Sequence, residues 1–327
     1  TRVRSSAASD VYKRQDTHKH TCTPFTLPNT NLLEKEEVKV LLQTGNHELW
    51  VGTSKNLWKQ TPQHTWVKLL PDNQAVSLLQ KTANDKLYVG GSKGLYILQK
   101  GKVLNHISFS IYSAKGLPGT EIRDLYVTDS QTYWIATNDG LAKLTNGKIK
   151  IYEHNPLRPY SLIDNNVCAI SQGPAQKLWI ATYQGLCLFN PENERFTDMT
   201  QPGNDCLTSR LASCITEDRR GNIWIGTTEK GLNVLSIEAD TLTHYYHQAW
   251  NPYSLPDNYV ECIFCSQNGN IWIGTHQGLA KYNGGNKPFQ RIPQTEELQV
   301  KGIQEDAQQH LWLSLIHISE PTRLQLI

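Results

Sequence analysis

The sequence predicts an all-β chain, a β-propeller of four-stranded blades with about seven repeats and a truncated last blade. A strand signature ending in an aromatic-aliphatic-small triplet, such as Trp272-Ile273-Gly274, recurs seven times. Its spacing lies near the roughly 40 to 50 residues that mark blades or solenoid units. No segment sustains a 3.6-residue apolar period, and turn residues interrupt the chain every ten or so.

The repeat centres are Trp50, Tyr88, Trp134, Trp179, Trp224, Trp272 and Trp312, separated by 38, 46, 45, 45, 48 and 40 residues. Six of the nine tryptophans fall on this one position, so it has a structural duty. Apolar or small residues stand twelve and nine positions earlier in every copy: Val38/Leu41, Val76/Leu79, Ile122/Leu125, Val167/Ile170, Ala212/Ile215, Val260/Ile263 and Val300/Ile303. Two positions after each centre comes a small residue, where a neighbouring sheet is expected to pack closely: Gly52, Gly90, Ala136, Ala181, Gly226, Gly274 and Ser314. Gly-Leu follows at Gly94, Gly140, Gly185, Gly231 and Gly278, with Asn56-Leu57 in the first copy. Asn tolerates a left-handed backbone best among non-glycine residues, so a turn requiring positive φ is expected there.

Each copy therefore reads as a strand, a tight turn such as Asp218 to Asn222, a second strand, a glycine turn, and third and fourth strands. Strands apolar on both faces fit sheets sandwiched between neighbours. A solenoid of β-turns is the competing architecture. Residues 1–15 and 315–327 resemble peptides translated from sequencing adapters, and the repeat phase is lost at Leu315, so the propeller is placed at 16–314. Pro24-Phe25 resembles Pro288-Phe289 of the sixth copy's fourth strand. The N-terminal strand could thus complete the seventh blade, leaving one strand missing; parts of two adjacent propellers are the alternative.

A net charge of +2 with no like-charge block excludes the electrostatic footprint of a nucleic-acid binder. No apolar run spans a bilayer. The seven cysteines are an odd number without scaffold spacing, so free buried thiols are expected. Cys262 and Cys265 form a CxxC in a strand, where residues three apart face oppositely, which argues against metal or redox pairing.

The repeat V-x-x-I-x-E-D-x-x-G-x-[IL]-W-I-G-T-x-x-G-L-x-x-[YF], best kept at residues 212–235 and 260–282, resembles the two-component regulator propeller repeat. Two loops are also similar to that family, His154 to Val167 and Trp250 to Val260. The resemblance implies the periplasmic sensor region of a membrane-anchored hybrid histidine kinase of Bacteroidetes type, responding to polysaccharide breakdown products. Copies one and two depart most, lacking the acidic pair and, in copy two, the tryptophan.

Loops joining strands two to three and four to one share one face of a propeller, and function usually lives in such loops. They carry Tyr160, Tyr183, Gln184, Trp250, Asn251, Tyr253, His276 and Gln277. Aromatic faces beside amides suit a sugar's apolar C–H surface and hydroxyl rim, so an oligosaccharide or a partner domain is the expected contact. The same aromatics could instead pack loop on loop. No nucleophile elbow, zincin motif, P-loop or zinc spacing occurs, so no catalytic residue, metal or cofactor is assigned. His18-Lys19-His20 could bind a metal only incidentally. The repeated pairs Glu217-Asp218 and Glu305-Asp306 precede turns, where Asp bonds local backbone. A propeller enzyme of lyase or glycosidase type and a homodimerising interaction platform stand as the other classes.

Overall fold

The computed structural model describes residues 11–16, 21–25, 36, 38–44, 48–61, 65–70, 73–82, 85–109, 116–129, 132–199, 207–239, 241–305 and 311–317. They build seven four-stranded antiparallel sheets. Blade 1 comprises Val38–Gln43, Leu49–Thr53, Leu57–Gln60 and Trp66–Lys68. Blade 2 comprises Val76–Lys81, Lys86–Gly91, Gly94–Gln99 and Lys102–Ile107. Blade 3 comprises Ile122–Val127, Thr132–Thr137, Gly140–Thr145 and Lys148–Tyr152. Blade 4 comprises Val167–Gln172, Leu178–Thr182, Gly185–Asn190 and Arg195–Asp198. Blade 5 comprises Ala212–Glu217, Ile223–Thr227, Leu232–Ser236 and Thr241–Tyr245. Blade 6 comprises Val260–Cys265, Ile271–Thr275, Gly278–Tyr282 and Phe289–Arg291.

The seventh repeat contributes its first two strands, Leu298–Glu305 and Leu311–His317. Thr21–Phe25 takes the outermost place, as the likeness of Pro24-Phe25 to Pro288-Phe289 predicts. The place expected to stay empty is filled by Val11–Asp16, which pairs with Leu311–His317 in the register Val11↔Leu315. Strand pairing thus runs past both boundaries read from the repeat phase, to residue 11 on one side and 317 on the other. The first strand of blade 7 packs on that of blade 1, closing one ring rather than parts of two.

The core lies between blades. Trp134 of blade 3 packs among Phe189 and Phe196 of blade 4, and Trp224 of blade 5 among Tyr282 and Phe289 of blade 6. Leu41, Val51, Trp58 and Trp312 seal blade 7 against blade 1. The small residue after each centre has the expected cause. A Cβ on Gly52 would lie 2.6 Å from Val76 of the next blade, and one on Gly226 would lie 2.7 Å from Val260. The Gly-Leu turns hold positive φ, +112° at Gly94 and +129° at Gly278. Asn56 corrects the expectation for the first copy, because its φ is not positive. Its buried amide instead donates to Glu36 Oε1 at 2.8 Å, and its backbone N–H to Thr53 Oγ1 at 2.8 Å.

Asp218 performs the predicted turn duty. Its carboxylate accepts the N–H groups of Arg220 and Asn222 and, at 2.9 Å, the indole N–H of Trp224. The thiols of Cys168, Cys187, Cys214, Cys262 and Cys265 are free. Cys187 is fully buried, and the other four, on inner strands, are partly buried. His18-Lys19-His20 and Asp306 fall outside the described residues.

Candidate ligand-binding face

Every inner strand opens with the same β-bulge. The register slips between Val38/Val40, Val76/Leu78, Ile122/Asp124, Val167/Ala169, Ala212/Cys214, Val260/Cys262 and Val300/Gly302. A bulge leaves its extra residue out of the ladder and re-aims the side chain. The residues so placed are Lys39, Ser77, Arg123, Cys168, Ser213, Glu261 and Lys301, at the end of the innermost strands that adjoins the four-to-one loops.

Several of them link neighbouring blades. Ser77 Oγ donates to Ile122 O at 2.7 Å, and Ser213 Oγ to Val260 O at 2.6 Å. Arg123 donates to Asn166 Oδ1 and to Cys168 Sγ of blade 4, and its guanidinium lies 5.0 Å over the ring of Tyr183. Glu261 accepts from Gln299 Nε2 and, at 2.8 Å, from Lys301 Nζ of blade 7. His276 Nε2 also meets Glu261 Oε1 at 2.6 Å, while its ring stacks 3.7 Å from Tyr259. Burial raises the Tyr259 hydroxyl pKa, and the nearby Glu261, Tyr183 and Cys168 raise it further. Burial also pushes the Cys168 thiol up to about 11, against the pull of Arg123, so that thiol stays protonated.

Of the residues expected from sequence, Tyr183 and His276 are therefore drawn into one charged and aromatic mouth. Tyr160, Trp250, Asn251 and Tyr253 are not. Phe196 N–H donates to Tyr160 O and Phe289 N–H to Tyr253 O, which sets both tyrosines beside outermost strands. There Tyr160 is covered by Arg195 at 4.6 Å and Tyr253 by Lys287 at 4.6 Å. Asn251 spends its side chain locally, donating to Gln248 Oε1 and accepting Tyr253 N–H. Trp250 is 81% exposed on the same rim. Gln184 and Gln277 sit exposed at turn tips, and Gln277 borders a recess of ≈ 270 Å³ with His247, Arg291 and Glu297.

Arg123, Tyr259, Glu261, Gln299 and Lys301 were not among the expected residues. A signal was present for three of the five: eleven positions before each centre the chain reads Lys39, Ser77, Arg123, Cys168, Ser213, Glu261 and Lys301, mostly polar between two apolar positions. Among the described residues no group of three or more His, Cys, Asp or Glu could hold a metal ion.

The two-component regulator propeller profile matches residues 206–229 and 254–277, across the second strands of blades 5 and 6. Two of the seven repeats are thus similar to the two-component regulator propeller repeat. The chain's fold is similar to the extracellular domain of a putative hybrid two component system from B. thetaiotaomicron, with 24% identity, TM-score 0.58, and coverage of 73% of this chain and 38% of that one. A second such domain from B. thetaiotaomicron has 18% identity and TM-score 0.50, covering 93% and 49%. The chain thus spans less than half the length of these two domains. Catalytically inactive virginiamycin B lyase from Staphylococcus aureus, solved with quinupristin, shares the fold at 13% identity and TM-score 0.65, covering 89% and 98%. No curated protein sequence matches the chain. Among the described residues no helix is long and apolar enough to cross a membrane.

Proposed function

We propose that this chain is an extracytoplasmic, non-enzymatic ligand-binding propeller of a membrane-anchored two-component sensor, and that its mouth on the loop face receives oligosaccharides from polysaccharide breakdown. The observation that carries the reading is the cluster of Tyr183, Tyr259 and His276 rings set among Arg123, Glu261, Gln299 and Lys301. Aromatic faces with convergent donors and acceptors suit a pyranose ring and its hydroxyls. The group also spans blades 3, 4, 6 and 7, so a ligand bridging it would couple blades that otherwise meet only through their neighbours. The regulator propeller repeats and the likeness to sensor extracellular domains support the sensor role. A periplasmic location follows from that role, and the outer rim bearing Trp250 and Tyr253 is left for a partner domain or a second copy.

Calorimetry of the full chain against a panel of neutral and acidic oligosaccharides tests this. Binding to one class, weakened in Tyr183→Ala and His276→Ala, supports the mouth. A flat response across the panel, or unchanged affinity in both variants, overturns it.

A further inference from the structure

A second candidate site lies at the junction of blades 2 and 3, which lacks the aromatic quartet that two other junctions carry. Strand register identifies four equivalent positions at each blade junction: the centre of one blade, the residue opposite the turn leucine in its fourth strand, and a facing pair in strands three and four of the next. Between blades 3 and 4 these are Trp134, Tyr152 and the pair Phe189↔Phe196. Between blades 5 and 6 they are Trp224, Tyr245 and Tyr282↔Phe289. The rings of each quartet pack at centroid distances of 4.7 to 5.9 Å. Between blades 2 and 3 the same positions hold Tyr88, Ile107 and Leu144↔Ile149. All four residues are smaller there, and all four line a cleft of ≈ 820 Å³.

Its chemistry is not that of leftover space. The floor is apolar, with the phenol rings of Tyr88 and Tyr133 tilted together at 4.9 Å. Lys86, Lys148 and His106 stand among the walls with Asn105 and Asn146, and the described lining holds no carboxylate. His106 is steadied by stacking 3.9 Å from Tyr96 and by a hydrogen bond to Lys93 O. The volume is in the range of pockets that hold drug-sized molecules. Cations over an aromatic and aliphatic floor are complementary to a ligand that carries a negative charge on an apolar body.

We propose that the cleft between blades 2 and 3 binds a small organic anion with an apolar ring, of the aryl carboxylate class. Calorimetric titration of the full chain with cinnamate, and with cinnamyl alcohol as its neutral counterpart, tests it. Cinnamate should bind once per chain and more tightly than the alcohol. Lys86→Ala with Lys148→Ala should weaken cinnamate roughly tenfold, the loss of about one charge-assisted hydrogen bond, and leave the alcohol unchanged. Leu144→Phe with Ile149→Phe, which restores the blade 3 to 4 pair, should abolish binding of both. No heat with cinnamate, equal affinity for acid and alcohol, or undiminished binding in the filled variant overturns the proposal. Should the filled variant not fold, the lysine pair alone decides. Tyr183→Ala and His276→Ala should leave cinnamate binding unchanged, which separates this site from the mouth.

Discussion

The loops 154–167 and 247–260 lead into blades 4 and 6, and residue for residue, 93 positions apart, they are built on one frame. His154 N–H and His247 N–H donate to Asn165 Oδ1 and Asn258 Oδ1 at 2.6 and 2.7 Å. Their ring nitrogens Nδ1 meet Leu162 O and Leu255 O at 2.7 and 2.8 Å. Ser161 and Ser254 each accept one backbone N–H and return a bond to a carbonyl of the same turn. What differs is what the frame presents. The first loop offers Asn166, held by the cationic Arg123 of the preceding blade, whereas the second offers Tyr259, stacked on a histidine that rests on the anionic Glu261. Arg291 enters the second loop where the first has Asp198. A repeat can therefore keep its backbone bonds and still reverse the charge at its mouth, because the frame is made by main chain and a few turn residues, and the chemistry by side chains the frame does not use.

The largest break in this comparison should come from Arg291→Ala. The guanidinium donates to Ser254 Oγ at 2.8 Å, Ser254 O at 3.0 Å, and the carbonyls of Asn251 and Leu255 at 3.1 Å. Removing it strands acceptors around the buried Ser254, and we expect a cost of about 3 kcal/mol in urea unfolding. A cost below about 1 kcal/mol would mean that the shared frame suffices alone.

The junctions beneath the loops differ too. Asp124 in the blade 3 inner strand accepts Ile170 N–H of blade 4 at 2.7 Å, where blade 5 has Cys214. Burial, against bonds from Ile170 and Leu125, pushes the Asp124 carboxyl up to about 6. The native state then holds its proton more tightly than the unfolded chain does. The group favours folding fully below its unfolded value near 3.8, and that contribution is lost as pH rises toward 6. Comparing wild type with Asp124→Asn, the difference in unfolding free energy should change between pH 4 and pH 6 by on the order of 2 kcal/mol, and be level above. A pH-independent difference would contradict the assignment.

Tyr259→Asn gives the second loop the residue of the first. It should release His276 from its stacked position at a cost of about 1 kcal/mol, visible as a lower Tm and a shifted His276 ring signal in NMR. The smallest effect is expected of Lys301→Ala, whose side chain is 37% exposed beside Glu261. An ion pair so placed is worth less than about 1 kcal/mol, and denaturation should barely move.

Much of the fold was legible because inter-blade packing selects one residue type at one phase. The small residue after each centre is confined by the next blade and by its own inner strand, as at Gly52 by Val76 and Val40 and at Gly90 by Ile122 and Leu78, and this repeats visibly. The mouth was legible in part. Tyr183 and His276 stand in loops and show themselves, whereas Arg123 and Glu261 are hidden, since a strand read with simple alternation gives no hint of a bulge that turns one residue toward the channel.

By itself the sequence determined the number and phase of the repeats, the strand order within a blade and the turn duty of Asp218, all of which depend on contacts between neighbouring residues or between successive repeats. Tertiary structure decided ring closure, with Val11–Asp16 supplying the seventh sheet's third strand, and the separation of Tyr160 and Tyr253 from Tyr183 and His276. It also decided where space is left: Tyr88, Ile107, Leu144 and Ile149 are scattered along the chain, and only side-by-side blades turn their four small volumes into one cleft.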